Sequence, residues 1–109
     1  MATALKILGQ TKPSAATLTD TYTVPGATTA VCSSVVACNQ SATPTAIRVS
    51  VAVAGAADTS KQYVTYDMPI LGNETITLPI GISLGAADVI RCYCTLATVS
   101  FNVFGQENT

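Results

Sequence analysis

Histidine and tryptophan are absent from this 109-residue chain, and charged residues make up only 10% of it. The lack of histidine removes the commonest general base and the commonest metal ligand of proteins. Five lysines and arginines are too few for the basic surface that binds nucleic acid. No stretch approaches the run of about 20 apolar residues that a membrane-spanning helix needs. The composition therefore favours neither a nucleic-acid partner nor a membrane partner.

The length suits one domain with a single core. Hydrophobic residues make up 49% of the chain and the net charge is −1, which is the opposite of the balance in disordered proteins. At the start of the chain, Lys6 stands inside a short apolar run, whereas a secretory signal has its positive charge first and a longer apolar stretch after it. We therefore expect a folded domain made without a Sec-type signal.

Apolar residues alternate with small or polar residues along most of the chain, which is the period of a strand with one buried face. The clearest runs are 45–53, 64–70, 74–84, 90–96 and 99–103. Residues 29–39 carry apolar side chains on both parities, and a bulge near Ser33–Ser34 would reconcile them. Turn residues recur at spacings of roughly 8–12 residues. The sequence predicts an all-β, single-domain antiparallel β-sandwich, jelly-roll or Ig-like, with seven to eight strands.

The two ends of the chain predict different features. Residues 1–16 are an N-terminal strand or a docking arm, and the pattern leaves both open; residues 17–109 form the sandwich domain. Near the other end, the alternation shifts phase between Leu96 and Val99, which predicts a tight hairpin at Ala97–Thr98. Outward strand positions hold Thr, Ser and Ala as often as charged residues. Such weakly polar faces suit burial against sister copies, so we expect a homo-oligomer.

Four cysteines leave buried thiols and a disulfide as open alternatives: Cys32, Cys38, Cys92 and Cys94. Their spacings, without histidine, do not match the usual zinc knuckles. Residues an even number apart share a face of a regular strand, so Cys92 and Cys94 are expected to point the same way, and so are Cys32 and Cys38 if their strand is regular. At most one cross-strand bridge then fits, from one of the first pair to one of the second. Free cysteine is commonly buried, which favours core thiols.

Few polar side chains are arranged for catalysis, since no Gly-rich phosphate loop or G-x-S-x-G motif occurs and no histidine activates a serine or cysteine. Arg48, Arg91 and Asp67 fall on outward strand positions. Together with Glu74, they are candidates for ion pairs across strands or across a subunit contact. We expect no enzyme activity, no cofactor and no metal site.

Two further sets of residues have candidate roles. Four tyrosines are candidates for a platform on which a sugar ring stacks: Tyr22, Tyr63, Tyr66 and Tyr93. Tyr66, however, falls on the inward parity of its run, and tryptophan is absent. Asp58 and Asp88 each follow Ala-Ala and precede a strand, which is typical of a turn carboxylate bonded to backbone N–H groups.

Three blocks of sequence, in this order and spacing, carry a resemblance to a known family. They are TLTDTYTVP (17–25) with VVACNQ (35–40); RVSVAVAGAAD (48–58) with KQYVTYD (61–67); and GISL (81–84), DVIR (88–91) and TLATVSF (95–101). Together, over roughly residues 4–107, they resemble small virion structural proteins of tailed bacteriophages. Typical members have fewer cysteines.

The resemblance implies an all-β, non-enzymatic virion subunit, made in the host bacterial cytoplasm and repeated by symmetry, for example as a trimer. It points first to the tail: the baseplate, the fibre base or the neck. A capsid decoration or cement protein on the head surface is the alternative, and a host-glycan or receptor-binding module at a tail tip is a further one. The implied partners are copies of the chain and other virion proteins, with host glycan as the partner of the last alternative.

Overall fold

Nine strands form two antiparallel sheets in the computed structural model, which describes residues 2–109. In chain order they are β1 (Thr3–Thr11), β2 (Thr19–Thr23), β3 (Thr29–Asn39), β4 (Thr45–Ala52), β5 (Tyr63–Ile70), β6 (Thr75–Leu78), β7 (Ile82–Leu84), β8 (Val89–Cys94) and β9 (Val99–Asn108). Single 3₁₀ turns at Val53–Gly55 and Ser60–Gln62 lie between β4 and β5. The predicted all-β sandwich is confirmed.

The strand order is that of a jelly roll. Sheet A has the order β1-β9-β3-β6, with β7 also paired to β3, and sheet B has the order β2-β8-β4-β5. The strands pair as they would in one long antiparallel hairpin whose closed end is the pair β4–β5. The other pairs follow outward along that hairpin: β3 with β6 and β7, then β2 with β8, then β1 with β9. Folding that hairpin over itself gives two sheets whose inner faces meet.

The core fills the space between the sheets with most of the inward positions of the predicted alternation, although Val53, Val64 and Leu96, which were predicted inward, are exposed. Its largest fully buried side chains are Phe101, Ile47, Ile70, Ile90, Val24, Val35, Val49, Val99 and Val103. Burying one aliphatic or aromatic side chain of this size stabilises the fold by about 1.5–3 kcal/mol. Residues on the opposite parity therefore lie on the outer faces, where they are free for other contacts.

The N-terminal segment is a strand of sheet A. β1 pairs with β9 from Thr3 opposite Asn108 to Thr11 opposite Phe101, with a bulge at Leu8. β1 forms one edge of the sheet, and its first half, from Thr3 to Ile7, is exposed. The outer edge of β1 consequently offers unpaired backbone groups.

Two features at the strand ends differ from the prediction. The run 74–84 is two strands, β6 and β7, because Pro79 has no N–H to give to the ladder with β3, and this raises the count to nine. The predicted tight hairpin at Ala97–Thr98 is wrong, since β8 belongs to sheet B and β9 to sheet A. The turn there carries the chain from one sheet to the other.

The predicted bulge in β3 is confirmed. Cys32 pairs with Gly105 and Ser34 with Phe104, so Ser33 is the extra residue. The bulge reverses the inward and outward positions of the residues after it, so Cys32 before it is buried whereas Cys38 after it points outward. The two cysteines would share a face only in a regular strand, and the bulge removes that condition.

Gly105 is required where β9 meets this bulge. A Cβ at Gly105 would meet the carbonyl oxygen of Val31 and lie 2.9 Å from Cα of Cys32, both of them backbone atoms. We expect Gly105→Ala to lower the free energy of unfolding by roughly 1–3 kcal/mol, because the backbone must shift to accept the methyl group. Urea denaturation measures the difference.

Gly26→Ala is the matched control, since a Cβ at Gly26 has nothing within 4 Å. It should leave stability nearly unchanged. Equal stability of the two variants would contradict the close approach at Gly105.

Candidate functional site

The outward side chains of sheet A lie in rows that cross its strands. From one end to the other, the rows are Thr3, Asn108 and Thr29; Leu5, Gln106, Val31 and Ser83; Ile7, Phe104 and Ser34; Gln10, Asn102, Val36 and Thr77; and Ser100, Cys38 and Thr75. No lysine, arginine, aspartate or glutamate occurs in these rows, although the chain has five basic and six acidic residues. We call this surface the neutral face.

One end of the neutral face is apolar and open to solvent. Leu5 is 82% exposed, Ile7 51% and Val31 39%. A shallow groove of about 490 Å³ is lined by these three residues together with Lys6, Ser33, Phe104, Gly105 and Gln106, so one charged side chain, that of Lys6, borders this end of the face. Exposed apolar residues are ordinary when scattered, but a contiguous patch that crosses three strands is typical of a contact surface.

Two of the three ion pairs lie away from the neutral face. Arg48 Nε is 2.7 Å from Asp67 Oδ1 across β4 and β5, and Arg91 Nε is 2.9 Å from Asp20 Oδ1 across β8 and β2. Both pairs belong to sheet B. Arg48 and Asp67, two of the predicted candidates, therefore make a cross-strand pair, whereas Arg91 pairs with Asp20, a partner not predicted from the sequence.

The remaining predicted polar residues serve turns. Glu74 Oε1 accepts a hydrogen bond of 2.8 Å from the backbone N–H of Leu71. Asp88 accepts 2.9 Å and 2.8 Å bonds from the backbone N–H groups of Ala54 and Gly85, as expected of a turn carboxylate. Asp58 differs, because its carboxylate accepts a 3.1 Å bond from the hydroxyl of Tyr63 instead.

Three of the four tyrosines gather around Arg48 on sheet B. The guanidinium carbon lies 4.1 Å from the ring centroid of Tyr66 and 4.3 Å from that of Tyr93. Tyr63 meets Tyr66 edge to face, with ring centroids 5.0 Å apart. A cation held between aromatic faces is attracted by both, and the hydrogen bond from Nε to Asp67 fixes the guanidinium in that place.

A bulge in β5 puts Tyr66 on the outer face. Ile47 pairs with Met68 and Val49 with Thr65, so Tyr66 and Asp67 both stand opposite Arg48. Asp67 is at φ 50°, a left-handed conformation that aspartate tolerates better than most residues. The inward position predicted for Tyr66 is therefore wrong: the side chain is 60% exposed.

An open cleft lies beside this cluster. It has a volume of about 530 Å³ and is lined by Arg48, Asp58, Thr59, Ser60, Tyr63 and Tyr66. We call it the tyrosine cleft. Burial and the hydrogen bond to Asp58 raise the pKa of Tyr63, and the nearby Arg48 opposes that rise. Tyr22 lies elsewhere, because it is buried in the core.

At the inner side of sheet A, the Glu107 side chain on β9 contacts a side chain of β1 and a side chain of β2. Lys6 Nζ lies 2.7 Å from one carboxylate oxygen, and the buried Tyr22 donates a 2.6 Å hydrogen bond to the other. Lys6 and then Tyr22 hold the pKa of Glu107 below its usual value. Burial and the contact with Glu107 raise the pKa of Tyr22.

All four cysteines are free thiols, and three of them are buried. β3 lies in sheet A and β8 in sheet B, so the cysteines of the two strands are not neighbours in one sheet. Burial raises the pKa of Cys32 and Cys94, and it raises the pKa of Cys92 to about 12. Cys38 is half-buried among the rows of the neutral face.

Residues 2–109 contain no group of three or more histidine, cysteine, aspartate or glutamate side chains placed to hold a metal ion. Over the same residues, no helix has the length and apolar character needed to cross a membrane. The chain matches no protein-family model and no curated protein.

The burial of the thiols predicts one reactive cysteine. With iodoacetamide in dilute native protein, we expect one alkylated thiol per chain, at Cys38, and four after unfolding, because the thiolate is the reactive form and the core disfavours it. Peptide mass mapping identifies the site. Alkylation of Cys92 as fast as that of Cys38 would contradict the buried placement.

The position of Glu107 predicts a dependence of stability on acid. Its folded pKa is lowered, so its ion pair contributes stability above the unperturbed value of 4.5 and loses it as the pH falls through the folded pKa. Glu107→Gln should be less stable than the wild type at neutral pH, and the gap should close in acid. Thermal unfolding from neutral to acid pH measures it, and a constant gap would refute the ion pair's role.

Proposed function

We propose that this chain is a non-enzymatic structural subunit of a bacteriophage virion that packs against copies of itself through the neutral face. The observation that carries the proposal is the absence of charge over five rows of sheet A that include exposed Leu5, Ile7 and Val31. Charged residues are depleted at the centres of protein interfaces, and a free surface ordinarily carries them.

Identical copies favour a neutral contact surface. In a two-fold contact each patch meets itself, so any charge near the axis faces its own copy and repels it. Hydroxyl and amide side chains avoid this problem, because each is both donor and acceptor and pairs with its own kind. The apolar rows then supply the favourable burial.

The edge strand β1 extends the same surface. Its exposed half, Thr3–Ile7, borders the apolar end of the neutral face and has an unpaired backbone edge. A neighbouring subunit that covers the face is positioned to pair with this edge as well, by strand addition. Contact through both would also protect an edge that is an aggregation risk in isolation.

The virion setting rests on the resemblance described above and on the suitability of a compact sandwich for repetition. Many copies bound by modest contacts gain avidity from simultaneous attachment. We place the subunit in the tail, at the baseplate, fibre base or neck, with the head surface as the alternative.

Gold labelling of intact phage particles against this protein tests the setting. Label on the tail supports the first placement, and label spread over the head supports a decoration protein. Particles that carry no label while the protein accumulates in infected cells would overturn the virion assignment.

A charge placed on the neutral face tests the packing. Ile7→Glu should weaken self-association at least about tenfold, because each contact then buries or opposes like charges. Its unfolding temperature as a monomer should stay close to that of the wild type, since Ile7 is 51% exposed. Sedimentation velocity over a concentration series measures both association and monomer size.

Val53→Glu is the matched control, because Val53 is 73% exposed and lies outside the rows of the neutral face. It should associate like the wild type. A wild-type protein that stays monomeric at every concentration and fails to bind particles would refute the proposal, as would equal weakening by the two substitutions.

A further inference from the structure

The tyrosine cleft lies on the outer face of sheet B and takes no part in the packing proposed for sheet A. We propose that it binds the ring of a neutral carbohydrate, stacked on Tyr66 and hydrogen-bonded to the polar groups around it. This inference goes beyond the structural role and does not depend on it.

Tyr66 supplies the stacking surface. The side chain is 60% exposed, although the chain has only four tyrosines and two phenylalanines to build its core and surfaces. Arg48 on one side and the edge contact with Tyr63 hold the ring in one orientation. A rigid, exposed aromatic ring with a polar surround gives a sugar's C–H face an apolar partner at little entropic cost.

Hydrogen-bonding groups border the same ring. The carboxylate of Asp58 accepts one bond from Tyr63 and retains acceptor capacity for sugar hydroxyls. Arg48 bonds Asp67 through Nε, so the N–H groups on its two Nη nitrogens are donors not used by that pair. Ser60 adds a hydroxyl to the lining. Convergent polar groups beside an apolar surface are the usual composition of small-ligand sites.

The charge balance selects a neutral ligand. The positive charge of Arg48 is already paired with Asp67, and Asp58 adds a further negative charge to the cleft. A phosphate, a sulfated sugar or a sialic acid would meet a net negative site and be disfavoured. Neutral hexoses and N-acetylhexosamines carry no such penalty.

The irregular backbone of β5 also supports a binding site at Tyr66. The bulge and the left-handed Asp67 turn Tyr66 outward, where the regular alternation would have buried it. Bulges and residues held in strained conformations concentrate at functional sites, because a sheet gains nothing for its own packing by exposing an aromatic ring.

Saturation-transfer NMR tests the cleft directly. The probes are the methyl glycosides of glucose, galactose, mannose and N-acetylglucosamine, with N-acetylneuraminic acid as the anionic comparison. We expect saturation of the ring protons of at least one methyl glycoside and none for the acid. No transfer to any neutral glycoside, or transfer to the acid alone, would overturn the proposal.

Two variants locate the binding. Tyr66→Ala should weaken the affinity at least about tenfold by removing the stacking surface, and Asp58→Asn should weaken it less. Leu71→Ala is the matched control, since Leu71 is also 60% exposed and does not line the cleft. Unchanged binding by Tyr66→Ala, with its fold verified by circular dichroism, would overturn the site.

The same titration separates this inference from the packing role. Ile7→Glu removes a residue of the neutral face and leaves the cleft intact, so it should bind the glycoside with wild-type affinity per chain. Loss of binding in Ile7→Glu would contradict an independent site in the cleft.

Discussion

The two outer faces depend on one constraint, the alternation of inward and outward side chains along each strand. A bulge shifts this alternation by one residue. In β3 the extra residue Ser33 lets Cys32 before it and Val35 after it both enter the core. In β1 the extra residue is Leu8, which is itself buried. The two charged residues in the strands of sheet A, Lys6 and Glu107, occupy inward positions and pair with each other, so the outward rows carry no charge.

The outcome is a molecule with two chemically different surfaces. The neutral face of sheet A offers hydroxyl, amide and apolar groups, which suit contact with an identical surface. Sheet B carries two of the three ion pairs and the tyrosines around Arg48. Since the jelly roll sets the sheets back to back, a subunit held through sheet A still presents sheet B outward, so packing and ligand binding can coexist.

The sequence predicts the sandwich well, because period-two alternation reports directly which residues face the core. It also predicts the bulge at Ser33, since apolar residues appear there on both parities. The sequence does not predict the bulge at Tyr66, because Val64, Tyr66 and Met68 alternate regularly with polar residues or proline. The extra residue appears only in the pairing register of β5 with β4. The partner of Arg91 and the sheet that β9 joins likewise depend on which strands become neighbours, which alternation does not encode.

The central claim, that sister subunits cover the neutral face, is tested most directly by solvent paramagnetic relaxation of methyl groups in the assembled protein. A soluble gadolinium chelate should relax the methyls of Leu5, Ile7 and Val31 strongly in dilute protein and weakly once the protein assembles. Those of Val53 and Leu71, which are exposed elsewhere, serve as internal references and should stay strongly relaxed in both states. An assembled form in which the neutral-face methyls relax as fast as the references would contradict the account.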